Sequence, residues 1–409
     1  MSAEDIAGRV VSEGVAPLGA AGWARHGDPP RSDGGHAPGG VSTAAGHADR
    51  QRGATGRRGE LCAEAARGGS REPNDGRGWT REAGGATDVF FDLASVTKPM
   101  TAVAFARARI DRQTPLGDLL VEARHTANER TPLELLFAHR AGIESHRDLF
   151  APLVRGERVD MHGALSQAAR ARRIDAAGDL PRDGFPAVYS DLGYLLAGAA
   201  LSRAVGARDA GEAIQHLVLE PLGVADCAGS IRDLAARGIG GPFAPTENVP
   251  WRGGLIVGAV HDENAWAVTG MGGSGHAGIF ATVDAVLAFG AAVLDSLADR
   301  GGPLGKVDLR WIVRERPGGT LRAGFDGKSA QGSSAGDRLS PRSFGHLGFT
   351  GTSLWLDPDA QVVVALLTNR VCPTRENVAI RAARPWAHDA LFDQAMTPAT
   401  TGSRHLHLP

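Results

Sequence analysis

A chain of 409 residues is long enough for one large domain or two fused ones and can bury a sizeable core. Its formal net charge of −2 gives no general electrostatic case for nucleic acid or an anionic membrane as a partner. Basic residues are almost all arginine: Lys98, Lys306 and Lys328 are the only lysines, and Tyr189 and Tyr194 the only tyrosines.

Met1 to Val11 contain no apolar signal-peptide core and include Glu4 and Asp5, and no run reaches the length of a membrane span. A soluble cytoplasmic protein is therefore expected. Residues 1–24 read as an N-terminal helix/strand segment, apolar enough for a strand over 9–24 and most clearly from Val15 to Ala24. Residues 25–87 shift to Gly, Arg, Ser, Pro and Asp and read as a loop-rich or disordered insertion.

Order resumes at Val89-Phe90-Phe91. Apolar spacing predicts helices over 95–110, 131–140, 161–173, 191–204 and 209–220. The Gly/Pro-rich stretch 237–259 reads as irregular. Residues 282–298 carry the longest amphipathic pattern, with Thr282 as its cap. Thr320 to Phe325, Gly351 to Leu356 and Gln361 to Thr368 read as strands, with Asp357-Pro358-Asp359-Ala360 as the turn between the last two. A final helix spans 376–394, and 396–409 is a polar tail. Strand, helices, strands, helix predicts an α+β fold: an antiparallel sheet flanked by helices, with a helical section inserted.

Ser95 and Lys98 can do chemistry together. A serine hydroxyl is a poor nucleophile until a base takes its proton. Residues i and i+3 share a helix face, so Lys98 is expected beside Ser95. A helix start also points backbone N–H groups at that spot, which suits a developing oxyanion. For Lys98 to act as the base, its pKa must fall from about 10.4 toward 7 or 8, which burial or a nearby cation can supply.

Three motifs follow in order: Ser95-Val96-Thr97-Lys98, Tyr189-Ser190-Asp191, and His346-Leu347-Gly348. Here the chain resembles the serine family of penicillin-binding proteins, class C beta-lactamases and related esterases, whose motifs are S-x-x-K, Y-x-N, and K-T-G or its H-x-G variant. Thr131-Pro132-Leu133-Glu134, Gly275-His276-Ala277-Gly278 and Leu366-Leu367-Thr368-Asn369 also look like the family. The resemblance covers about 88–395 plus the first strand. It implies a beta-lactamase/transpeptidase-like fold with a helical subdomain near 112–205 and an α/β remainder. It also implies that Ser95 is acylated, that Lys98 and Tyr189 share the proton, and that the Ser95 and Phe349 N–H groups form the oxyanion hole. Asp191, His346 and Gly348 would contact substrate, with no metal or cofactor.

Two departures matter. Asp191 stands where the family has an amide; its charge favours protonated Lys98 and repels a substrate carboxylate. His346 replaces a permanent cation with a mostly neutral imidazole. Both point to small esters, or amides lacking the carboxylate beside the scissile bond. The alternatives are a D-Ala-D-Ala carboxypeptidase, D-aminopeptidase or beta-lactamase. A non-catalytic binding or regulatory relative is the competing class, because the N-terminal region is eroded and the link from the Ser95 helix to residue 131 is short.

Other patterns are weaker. Gly332-Ser333-Ser334-Ala335-Gly336 matches G-x-S-x-G without the strand and helix that a nucleophile elbow needs. Gly273, Gly275 and Gly278 match a dinucleotide fingerprint without a parallel βαβ unit. His261, Asp262, Glu263 and His276 lack metal-ligand spacing and read as loop hydrogen-bonding groups. The cysteines Cys62, Cys227 and Cys372 lack zinc-ligand spacing.

Overall fold

The computed structural model describes residues 1–27 and 78–397. The expected insertion and polar tail therefore fall mostly outside the described residues. A helix, Ala3–Ser12, opens the chain. Its first turn is closed by a capping box: Asp5 N–H donates to Ser2 Oγ (3.0 Å) and Ser2 N–H to the Asp5 carboxylate (2.7 Å). Ala3, Ile6, Ala7 and Val10 form its buried stripe. Residues 9–12, expected as strand, are thus the end of this helix.

The strands in chain order are β1 (Gly19–His26), β2 (Trp79–Gly85), β3 (Phe91–Asp92), β4 (Ala228–Gly229), β5 (Asn248–Val249), β6 (Gly254–Leu255), β7 (Phe280–Ala281), β8 (Asp326–Gly327), β9 (Phe344–Leu347), β10 (Ser353–Asp357) and β11 (Val362–Thr368). The main sheet has the order β2-β1-β11-β10-β9-β8, antiparallel throughout. β3, β7 and β4 form a small second sheet, and β5 and β6 a hairpin.

Two expectations need correction. β2 lies inside the stretch read as loop or disorder. Trp79-Thr80-Arg81-Glu82-Ala83-Gly84-Gly85 has little strand patterning of its own; it is a strand because β1 presents an edge, with Trp23 opposite Glu82 and Arg25 opposite Thr80. Thr320 to Phe325 is not a strand; Leu321 makes only an isolated bridge to Asp326, and pairing begins at β8.

The sheet is covered on both faces, and period-2 alternation sorts its side chains. Ala20, Ala24, Leu354, Leu356, Val363, Ala365 and Leu367 face the core that contains the Val283–Leu297 helix. Ala21, Trp23, Trp355, Val362, Val364 and Leu366 face the Ala3–Ser12 and Ile380–Met396 helices. Double coverage explains why β11 reads as an unbroken apolar run although its sheet is antiparallel. The Thr97–Ala108, Leu133–Phe137, Met161–Arg170 and Asp191–Val205 helices pack into the first of these cores. Among the described residues no helix is long and apolar enough to cross a membrane.

One close approach joins the inserted helices to the rest. A side chain at Gly275 would place its Cβ 2.0 Å from the Tyr194 carbonyl and 2.9 Å from Gly198. Gly275→Ala should therefore cost about 1–3 kcal/mol, the usual range for overpacking a filled interior. A urea midpoint unchanged from wild type would show that this contact is not tight.

Candidate active site

The backbone before Ser95 is bent and pinned. Ala94 adopts φ +47°, in the left-handed region. The buried Asp92 carboxylate accepts from Ala94 N–H (2.8 Å) and His261 N–H (2.7 Å). Thr350 Oγ1 donates to the Asp92 carbonyl (2.7 Å) and Thr352 Oγ1 to the Leu93 carbonyl (2.9 Å). These bonds tie the approach to Ser95 to the β9–β10 turn. Ser95 then sits in a short 3-10 turn, Ala94–Val96, that runs into the Thr97–Ala108 helix.

Lys98 is fully buried one helical turn on. Its Nζ donates to Ser95 Oγ (2.9 Å) and to Asp191 Oδ1 (2.6 Å), and lies 3.5 Å from the His276 carbonyl. It also lies 4.7 Å from the Tyr189 ring centroid and 5.5 Å from that of Tyr194. Burial pushes the ammonium toward neutrality, but Asp191 and Tyr189 outweigh it and hold Lys98 above its ordinary pKa. Tyr189 is pushed up by burial, against the pull of Lys98, so its hydroxyl is protonated near neutrality. The resting pair therefore carries two protons, and one must leave before either group can act as a base.

The second motif is held by capping. Ser190 Oγ accepts from Gly193 N–H (3.0 Å) and donates to the Glu144 carbonyl (2.6 Å), starting the Asp191–Val205 helix. Tyr189 and Asp191 flank this cap. Asp191 also occupies the helix's first turn, where a negative charge is favoured.

His139 was not foreseen. It has φ +59°, accepts the Ser190 N–H at Nδ1 (3.0 Å), and stacks against both Tyr189 (4.8 Å) and Tyr194 (5.0 Å). Burial, then Lys98 and His346, push its pKa well below the usual imidazole value. It is a neutral plate that orients the only two tyrosines. Its sequence signal was a histidine just past an apolar helix, too common to single out.

The third motif lies on β9. The His346 ring is 6.0 Å from that of Tyr189, and its Nδ1–H donates to the Leu347 carbonyl (2.9 Å). Burial, then Lys98, lowers it to about 3, so it is neutral. A Cβ at Gly348 would lie 1.9 Å from Thr352 Oγ1. Gly348 N–H donates to the Thr352 carbonyl (2.8 Å), while Phe349 N–H takes no partner among the described residues. The Phe349 side chain is 49% exposed and stacks on His261.

A cleft of about 560 Å³ connects these groups. Ser95, Tyr189, Asp191, Gly348 and Phe349 line it, whereas Lys98 and His346 are buried beside it and reach it through Ser95 and Tyr189. Four arginines on the wall were also not foreseen: Arg370, Arg375, Arg381 and Arg384. Arg384 donates to the Gly348 and Thr352 carbonyls (2.7 and 2.9 Å), and Arg370 Nε to the Phe349 carbonyl (2.8 Å). Arg375 pairs with Glu247 and Glu263. Their positions depend on chain crossings that local spacing does not encode.

Of the weaker patterns, the first two lie away from the cleft, while His261, Asp262 and Glu263 of the third line it. Residues 332–336 pack against the last helix, where His388 donates to the Ser334 carbonyl (2.7 Å), and none lines the cleft. Gly273 and Gly275 pack on the helices at Gly211 and Gly198. The two histidines of the third pattern part company: His261 bonds Glu247 (3.0 Å) and His276 bonds Asp262 (2.9 Å).

Comparison with known proteins identifies the family and the fold. Residues 18–385 match the family model described as Beta-lactamase. Proteins of Salmonella agona and Salmonella paratyphi B, each named "Putative D-alanyl-D-alanine carboxypeptidase", are 27% identical over 235 residues, 52% of this chain. The match covers 50% of their length, so the chain spans about half of the curated relatives it matches. Among solved structures, a hydrolase titled EstCE1 superposes with TM-score 0.60 at 16% identity, covering 95% of this chain and 97% of its own. A class C beta-lactamase from Rhodobacter sphaeroides gives 0.55 at 15%, covering 96% and 99%. A beta-lactamase from Mycobacterium bovis gives 0.53 at 18%, covering 96% and 100%. These likenesses establish the beta-lactamase/transpeptidase-like fold.

Proposed function

Given that this chain belongs to the beta-lactamase family, we propose that it is a serine hydrolase that forms an acyl-enzyme on Ser95 and acts on small esters or amides. One observation carries the reading: Ser95 Oγ lies on an open cleft 2.9 Å from Lys98 Nζ, with Tyr189 beside both and the Phe349 N–H unpartnered among the described residues. Once the Lys98–Tyr189 pair has lost one proton, it can accept the Ser95 proton as Oγ attacks the carbonyl. Base catalysis of this kind contributes about 10²–10⁴-fold. The Ser95 and Phe349 N–H groups stabilise the oxyanion. Tyr189 then gives the proton to the leaving group, and water releases the acyl group by the same path in reverse.

The preference for esters rests on charge. Asp191 supplies a carboxylate at the cleft, and His346 is neutral where the family carries a cation. A second reading, a D-Ala-D-Ala carboxypeptidase or beta-lactamase that takes a substrate with a carboxylate, is favoured by the arginines on the cleft wall. Three of the four are committed to carbonyls or glutamates, which leaves Arg381 as the donor for such a group. A panel of p-nitrophenyl esters, nitrocefin and D-amino-acid amides separates the readings. Short-chain esters should give the highest kcat/KM; nitrocefin turned over far faster than acetate or butyrate esters would reverse the assignment.

A further inference from the structure

Asp262 and His276 form a second polar chain against the Ser95 helix. His276 Nε2 lies 2.9 Å from Asp262 Oδ1, and His276 Nδ1 lies 2.7 Å from Ser274 Oγ. A carboxylate only accepts, so the hydrogen between them sits on Nε2. Serine, histidine and aspartate are connected as in a triad, but Ser274 is 2% exposed and no substrate reaches it. Its role must be different.

The backbone of the same segment touches the Ser95 helix at two adjacent turns. Thr101 Oγ1 donates to the Gly275 carbonyl (2.8 Å), and Lys98 Nζ lies 3.5 Å from the His276 carbonyl. The His276 side chain anchors this segment to Asp262, which caps the Glu263–Thr269 helix through Ala265 N–H (2.7 Å) and lines the same cleft as Ser95. We propose that Asp262 and His276 are a positioning pair for Lys98: Asp262 holds the imidazole, and the imidazole holds the His276 carbonyl on Nζ. The proposal rests on Ser95 and Lys98 being the reacting centre.

The charges around Lys98 support it. Lys98 faces Tyr189, Tyr194 and Asp191 from the second motif, His139 from the loop before it, and His346 from β9. Both tyrosines are pushed up and both histidines down, so all four are neutral near pH 7. Asp262 itself faces His276, Lys98, Arg252 and the buried Asp92. Burial raises the Asp262 carboxyl, but His276 and Lys98 outweigh it and keep it ionised. With Tyr189, Tyr194, His139 and His346 neutral, the groups that hold the Lys98 ammonium are the Asp191 carboxylate and the His276 carbonyl that Asp262 anchors through the imidazole.

The chain has three lysines, so ¹³Cε-lysine NMR reads the Lys98 titration in the full-length protein without needing activity. Lys98 can be measured in the Asp191→Asn background, where it titrates at lower pH, with and without Asp262→Asn. Asparagine keeps the helix cap but replaces the charged acceptor of the imidazole with a weaker neutral one. The expected result is a further fall of about half a pH unit or more for Lys98, with Lys306 and Lys328 unmoved and the melting temperature nearly unchanged. His276→Gln should also shift Lys98, while Asp262→Glu restores it. A Lys98 titration that ignores Asp262→Asn overturns the proposal and leaves a helix cap. Fluorophosphonate labelling of the wild-type protein, lost in Ser95→Ala, tests the hydrolase reading separately.

Discussion

Ser95→Ala should abolish ester turnover and covalent labelling by a fluorophosphonate, with kcat/KM falling about 10⁴–10⁶-fold. The fold should survive the change. Lys98 keeps its bond to Asp191 and its contact with the His276 carbonyl, and the pins on the preceding loop do not involve the serine side chain. A matched melting temperature with no labelled peptide is the expected pair of observations. Labelling that persists in Ser95→Ala would place the nucleophile elsewhere. A wild-type protein that never labels, though folded, would favour the non-catalytic class.

Lys98→Met should cost about 10²–10⁴-fold in kcat/KM, the range for removing a positioned proton carrier. Methionine fills the volume, and Asp191, whose side chain is 24% exposed, can be hydrated when its partner is gone. Asp191→Asn tests the same pair from the other side. The aspartate favours charged Lys98, so removing it lowers the Lys98 pKa and raises the neutral fraction at any given pH. The acid limb of the pH–rate profile should then move to lower pH. A shift of one unit corresponds to about 1.4 kcal/mol of lost Lys98–Asp191 interaction. A limb that stays in place, or moves up, would mean that another group controls the proton. The ion pair also makes a stability prediction. Lys98 is raised above its unfolded value, so its contribution is complete below about pH 10 and fades only as pH climbs through the folded pKa.

The geometry of the candidate site was largely legible because it is local. Ser95 and Lys98 lie one helical turn apart, and helix periodicity alone puts them together. Tyr189 and Asp191 flank a serine whose capping chemistry is equally local. Scarcity helped: with three lysines and two tyrosines in 409 residues, those in the motifs stood out. Apolar spacing likewise located the Asp191–Val205 and Val283–Leu297 helices within a residue or two.

Where expectation failed, the deciding contact was distant in sequence. β2 is a strand only because β1 offers an edge, and Thr320 to Phe325 is not one because the sheet edge ends at β8. His139 and the four arginines of the cleft wall come from other parts of the chain. Sequence could propose a neutral Lys98 and, through Asp191, the argument against it. The balance was set by tertiary structure. A fully buried ammonium 2.6 Å from a carboxylate pays its desolvation through that partner, and neither burial nor distance is written in the spacing of residues 98 and 191. Periodicity and capping act within a few residues, so sequence by itself determined which candidate groups stand together. Desolvation and Coulomb energy depend on everything within several ångströms, so only the folded chain decided which of them hold a proton.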